Sequence, residues 1–256
     1  MSAGRRTGRI EPAAVALRLF SMLALIAAWE WAGRARASFA LPTFGQTVRA
    51  AVDLLGSAGF WAALGISAES LLLGMGAAVA FGIPVGLLMG TVGPLGQYLG
   101  VYFELMIAIP TAAIIPLVIL TMGITVRSSA LSVFLFSAPF ITLNACSGVR
   151  DVSPRLAEMA HAFSATRRQL FAKIVLPSSL PMVLAGLRYG LSRAFVGLVV
   201  AELLLSPFGV GKVIMDASSM FQYDRLFAAV GLVILAALLV LAALQRIEGR
   251  LLHWRA

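Results

Sequence analysis

Two sets of residues in this sequence could do chemistry. The first is residues 153–177, SPRLAEMAHAFSATRRQLFAKIVLP, the longest mixed-charge stretch in an otherwise apolar chain. The second is a scatter of single polar residues inside long apolar runs, namely Thr111, Thr121, Ser137, Asn144, Arg193 and Glu202. Neither set is arranged for catalysis. No Ser–His–Asp combination and no intramembrane carboxylate pair is evident, and His161 has no partner at metal-ligand spacing, so it is read as a surface or interface histidine. A lone cysteine, Cys146, in an apolar run excludes an intrachain disulfide and a cysteine metal cluster, and reads as a small buried hydrophobe. The G-x-x-x-x-G-K-[ST] phosphate loop is missing: Gly209–Lys212 (GVGK) lacks both the preceding spacing and the following hydroxyl. The chain is therefore not expected to hydrolyse ATP.

What these residues can do is bind. A charge within hydrocarbon is costly and faces protein or water. Arg193 accordingly either lines a solute path or pairs with Glu202, Glu104 or Glu69. Nine residues of helix, about 13 Å of rise, rule out Glu202 within one span. Arg188, nearer the end of the run, is within snorkelling reach of the surface. Thr111, Thr121, Ser137 and Asn144 could serve solute or a neighbouring helix. In the mixed-charge stretch, Ser153–Pro154 is an N-cap and first-turn pair. Thr166 with Gln169 forms a capping box that starts a second short helix near Arg167, and Pro177 is expected to end it near Leu176. Helical spacing puts Leu156, Ala160 and Phe163 on one apolar face, with Arg155 and Glu158 on others.

These residues must be carried by membrane helices. The 256 residues are 60% hydrophobic and 12% charged, against roughly 25% charged in soluble domains. The fold class expected is all-α, a polytopic membrane protein of six transmembrane helices, at residues 15–31, 62–89, 98–122, 128–149, 180–204 and 227–244. The first is taken as a retained span rather than a signal peptide. Residues 33–61 are too polar to span, and 91–97 should turn the chain back. Gly74, Gly76, Gly82, Gly86 and Gly90 should let another helix approach closely, while Pro110, Pro116 and Pro139 should break the third and fourth spans. With both termini and the 153–177 stretch on one side, that side holds 12 Lys and Arg against 6 on the other, and two lie within the fifth span. The positive-rich side is cytoplasmic. The net charge of +9 is thus read as orientation, not nucleic-acid binding. The expected organisation is a cytoplasmic tail (1–14), a transmembrane domain (15–249, with its loop at 150–178) and a cytoplasmic tail (250–256).

Glu158-Met159-Ala160, then Ser164, then Ile174-x-Leu176-Pro177 resembles the EAA loop of type I permeases of ATP-binding-cassette (ABC) importers. Leu41-Pro42, GIPVGLLMG from Gly82, PTAAIIPLVIL from Pro110 and GLVVAELL from Gly197 are similar to the branch that imports sulfonates, taurine, nitrate or bicarbonate. The resemblance covers nearly the whole chain from Leu41 onward. It implies a bacterial inner-membrane protein whose loop is a coupling helix docking on a separate ATPase dimer, through Arg155, Leu156, Glu158, Met159, Ala160, Phe163, Ser164 and Pro177. It also implies a second copy of the chain, an external solute-binding protein, and no cofactor on this chain, ATP and Mg belonging to the ATPase. The pattern is not complete. Met159 replaces an alanine and Ser164 a glycine, which predicts a different end to the first short helix. Arginines frequent near positions 70 and 107 are Ser70 and Ile107, and Thr121-Met122 stands where an aromatic pair is common. These departures bear on the cargo. Two rivals remain at this point: an ion-gradient carrier, which calls for inverted repeats that are not evident here, and a non-transporting scaffold.

Overall fold

The computed structural model describes residues 12–35, 38–205 and 208–252; residues 1–11, 36–37, 206–207 and 253–256 lie outside them. Every regular element among the described residues is helical: α1 (Pro12–Arg34), α2 (Phe44–Leu55), α3 (Ala58–Thr91), α4 (Gly93–Ala108), a 3₁₀ turn (Thr111–Ile114) running into α5 (Ile115–Met122), α6 (Val126–Arg150), α7 (Pro154–Ala162), α8 (Arg167–Leu170), a π-helical turn (Phe171–Val175) running into α9 (Leu176–Leu205), α10 (Gly209–Ser219) and α11 (Tyr223–Leu251). Five helices are long and apolar enough to cross a bilayer, and the bent pair α4 and α5 makes up to six. The non-spanning segment after α1 holds the short amphipathic α2, started by a Thr43–Gln46 capping box.

The three prolines singled out in the sequence behave differently. At Pro110 the helix breaks, and the two halves diverge by 87°. Pro116 sits in the first turn of α5, where its missing N–H is tolerated. Pro139 is fully buried within an unbroken α6. Packing on both sides holds α6 straight, whereas the Pro110 segment is exposed. The expected turn at 91–97 is only one residue, Val92, because Gly93 and Pro94 already open α4.

The core is a sandwich of α3, α6 and α9 with α6 in the middle. Gly74, Gly82, Gly86 and Gly90 of α3 sit directly on α6, where a Cβ would collide with Val133, Ile141, Ala145 or Val149. Gly76, expected on that face, instead meets open space. Without a hydrophobic gain between helices in lipid, such close approach is the main source of cohesion. A second core, of Ala50, Leu54, Phe60, Val210, Ile214 and Ala228, joins α2, α10 and α11 at one end of the sandwich. The C-terminal end of α1 is pinned there, Trp29 donating to the Pro42 carbonyl at 3.0 Å and packing on Phe44 and Phe227.

Candidate functional site

Loop α7–α8 follows α6 and returns the chain to α9. The start of α7 matches the expected Ser153–Pro154 signal, with the Leu156 N–H donating to the Ser153 carbonyl at 3.0 Å. Its end corrects the sequence reading. Ser164 takes the left-handed conformation a glycine would supply (φ 55°), and the Ala165 N–H reaches back to the Ala160 carbonyl at 3.0 Å. That is a Schellman termination, achieved with serine. Thr166 and Gln169 then close a reciprocal capping box, the Thr166 N–H donating to Gln169 Oε1 at 2.8 Å.

Pro177 does not end the second helix. The wide turn at Phe171–Val175 precedes it, with the Leu176 N–H donating five residues back to Phe171. A wider turn makes room for a ring that would otherwise press on the carbonyl four residues earlier. The helix therefore runs on from Arg167 through α9. The face of α7 also differs from expectation: Ala160 is 6% exposed and points inward, while Leu156, Met159 and Phe163 are 37%, 50% and 82% exposed. Met159, not Ala160, completes the outward apolar stripe. Arg155 and Glu158 are exposed beside it.

The six polar candidates within the spans separate into three groups. Ser137, Thr121 and Asn144 bond back to their own helices, to Val133, Val118 and Phe140 carbonyls at 2.7, 2.9 and 2.7 Å. Ser137 is moreover fully buried, which removes it from an open path within this chain. Thr111 and Arg193 come together. Both line a cavity of about 250 Å³ at the broken span, with Met106, Pro110, Pro139 and Phe140. The Arg193 guanidinium lies 5.0 Å over the Phe140 ring, and neither Glu69, Glu104 nor Glu202 pairs with it among the described ion pairs.

Glu202 forms the third group. It is 2% exposed, and both of its carboxylate oxygens accept hydrogen bonds from within the chain. Ser67 of α3 donates to its Oε1 at 2.6 Å, Gly211 N–H to its Oε2 at 2.9 Å, and the Val210 N–H to Ser67 Oγ at 2.9 Å. The carboxylate thus ties the first turn of α10 to α3 and α9. Gly209 (φ 75°) and Gly211 pack on Glu202 so closely that a Cβ at either would overlap it. Arg188, midway along α9, lies 3.6 Å from Glu248 and joins α9 to the C-terminal part of α11.

Residues 82–253 match the family model described as "Binding-protein-dependent transport system inner membrane component". The chain is 31% identical over 219 residues to the taurine transport system permease protein TauC of Escherichia coli, covering 84% of this chain and 80% of that one. It is 32% identical over 233 residues to the putative aliphatic sulfonates transport permease protein SsuC of Bacillus subtilis, covering 90% and 84%. A 30% identical relative over 238 residues is the formylaminopyrimidine transport permease protein ThiX of Halalkalibacterium halodurans, covering 91% and 93%. Among solved structures, the inward-facing MetNI methionine ABC transporter superposes with a TM-score of 0.61 at 19% identity, covering 75% of this chain and 94% of that one.

Proposed function

The chain belongs to the family of binding-protein-dependent transport inner-membrane components, and we propose that two copies of it enclose the path of a small organic anion and are driven through the α7–α8 loop. It is a membrane permease subunit of an ABC importer, a non-catalytic component of the complex. Such an importer works with an ATPase and a solute-binding protein.

The observation that carries the docking assignment is the stripe Leu156, Met159 and Phe163, exposed on a short helix at the foot of a continuous rod. Exposed large apolar side chains rimmed by charge mark a protein contact. Arg155 and Glu158, exposed beside the stripe, would fix the register in an ATPase groove, while Ala160, Ser164 and Pro177 shape the turn and rod behind it. The excess of Lys and Arg on the α7 side supports placing that loop and both termini in the cytoplasm. The α10 end would then face outward, where residues 208–225 offer a surface to a solute-binding protein. One loop per chain and paired ATPases support a homodimer. ATP and its Mg would be held by the ATPase. Closure of the ATPase dimer would draw the two loops together, tilt the α9 rods and open the path outward.

An anionic cargo is supported by Arg193 in the cavity at the broken span and by relatives named for taurine and aliphatic sulfonates. The docking reading is tested with Glu158→Lys and Phe163→Ala in the assembled importer. Each is expected to reduce ATPase co-purification and uptake at least tenfold, with membrane insertion unchanged. Wild-type uptake by both variants would refute the docking assignment.

A further inference from the structure

We infer that the cavity at the broken span is a charge-selective recognition site belonging to the permease itself, with Arg193 reading the charge and Phe140 positioning it. This rests on the anion-path reading and goes beyond it, because it places selection inside the membrane as well as in any soluble receptor.

Arg193 lies deep. Seventeen residues of α9 precede it from Leu176 and twelve follow to Leu205, about 25 and 18 Å along the axis. With a hydrocarbon core about 30 Å thick, lipid headgroup phosphates are beyond easy reach. The guanidinium has no hydrogen-bond or ion-pair partner among the described residues. Glu202 is already committed to Ser67 and Gly211, Arg188 takes Glu248, and no acidic side chain lines the cavity. The Phe140 ring covers one face of the cation. A cation–π contact of this kind uses none of the guanidinium N–H donors, which stay free for an oxyanion.

The break supplies the room. Pro110 brings no N–H to the helix ladder, the chain turns by 87° there, and the break itself (residues 106–112) forms one wall of the cavity, facing α6 and Arg193. Apart from Thr111, whose hydroxyl turns to the Ile109 carbonyl at 3.3 Å, that wall is largely apolar. Arg193 itself is exposed in the single chain, and a cation without a counter-charge attracts a complementary charge while offering less to a neutral solute of the same shape. The class of ligand is a compact oxyanion on a small apolar body, such as a short alkylsulfonate.

The test uses the full chain purified in detergent, with neither ATPase nor receptor, and two probes of similar size: ethanesulfonate and the uncharged ethyl methyl sulfone. Binding of labelled ethanesulfonate, with the sulfone as competitor, is expected to show at least tenfold preference for the anion. Arg193→Met should remove that preference, and Arg193→Lys should keep part of it. Phe140→Leu should lower the anion-to-sulfone ratio, and Phe140→Trp should restore it, a response that a purely structural phenylalanine would not give. Failure of the wild-type chain to bind ethanesulfonate, equal competition by the sulfone, or unchanged selectivity in Arg193→Met would overturn the assignment. Because the ATPase is not in the assay, failure here leaves the docking loop standing, and failure of Glu158→Lys leaves this site standing.

Discussion

Ser164 shows how a single residue can carry a function its type disfavours. Its left-handed backbone (φ 55°) ends α7 and sets the angle at which Leu156, Met159 and Phe163 are presented. Left-handed geometry costs a residue with a Cβ on the order of 1 kcal/mol, and glycine escapes that cost. Ser164→Gly is therefore expected to stabilise the loop by about 1 kcal/mol, visible as a severalfold slower hydrogen exchange of the α7 amides. Equal or faster exchange would mean that the serine is held there by contacts worth more than its strain. The sequence alone located this position correctly and misjudged its outcome, because the pull of the Ala165–Ala160 hydrogen bond is a property of the closed turn rather than of the residue type. Thr166 and Gln169 were legible without error, since a capping box is complete within four residues.

Elements were legible in proportion to how local their causes are. Five spans follow from apolar runs, while the stretch that holds α2 reads only as too polar to cross. What the prolines do is not legible in this way, because a proline only removes a donor and adds a ring, and its neighbours decide whether the helix breaks, widens or holds. Pro139 is braced between α3 and α9, Pro110 is not, and Pro177 is accommodated by a π turn. The structural tie of Glu202 was not legible, because its partner Ser67 lies 135 positions away. Gly209 and Gly211, close behind it, were the available hint, since glycines mark close backbone approach. The tie defines how α10 is held. Ser67→Ala would leave the Val210 N–H buried and unpaired and remove a donor from Glu202. Such a loss costs about 1–3 kcal/mol. A lower thermal unfolding midpoint and faster exchange confined to the α10 amides are expected. Unchanged α10 protection would show that Gly211 alone holds the carboxylate.

At the scale of the whole molecule, two polar ties close a circuit around the glycine-packed sandwich. The Glu202 knot binds α9 to α10 near the C-terminal end of α9, and Arg188–Glu248 binds the middle of α9 to the C-terminal part of α11. Since α10 and α11 share an apolar core, displacement of the α9 rod reaches both ends of α11. Arg188→Glu would set two carboxylates against each other, and Arg188→Glu with Glu248→Arg restores opposite signs. A partly exposed pair of this kind is worth about 1 kcal/mol at most. The single change is expected to lower the unfolding midpoint in detergent and the double change to recover most of it; a double variant no better than the single one would refute the pairing. None of this circuit could be read from the sequence, in which Arg188 stands 60 residues from Glu248, and only the cation itself was visible.

The π turn at Phe171–Val175 has a further consequence, one of angular phase. A π turn amounts to one extra residue inserted into an α-helix, and each residue carries about 100° of rotation. The azimuth of Thr166 and the docking stripe relative to Arg193 is therefore set by that single surplus residue. A chain shortened by one position within 171–175 would keep its helices, caps and charges, yet its two working ends would face different directions. The wide turn is in this sense a timing mark: it keeps the α7 end of the rod and the Arg193 segment in register.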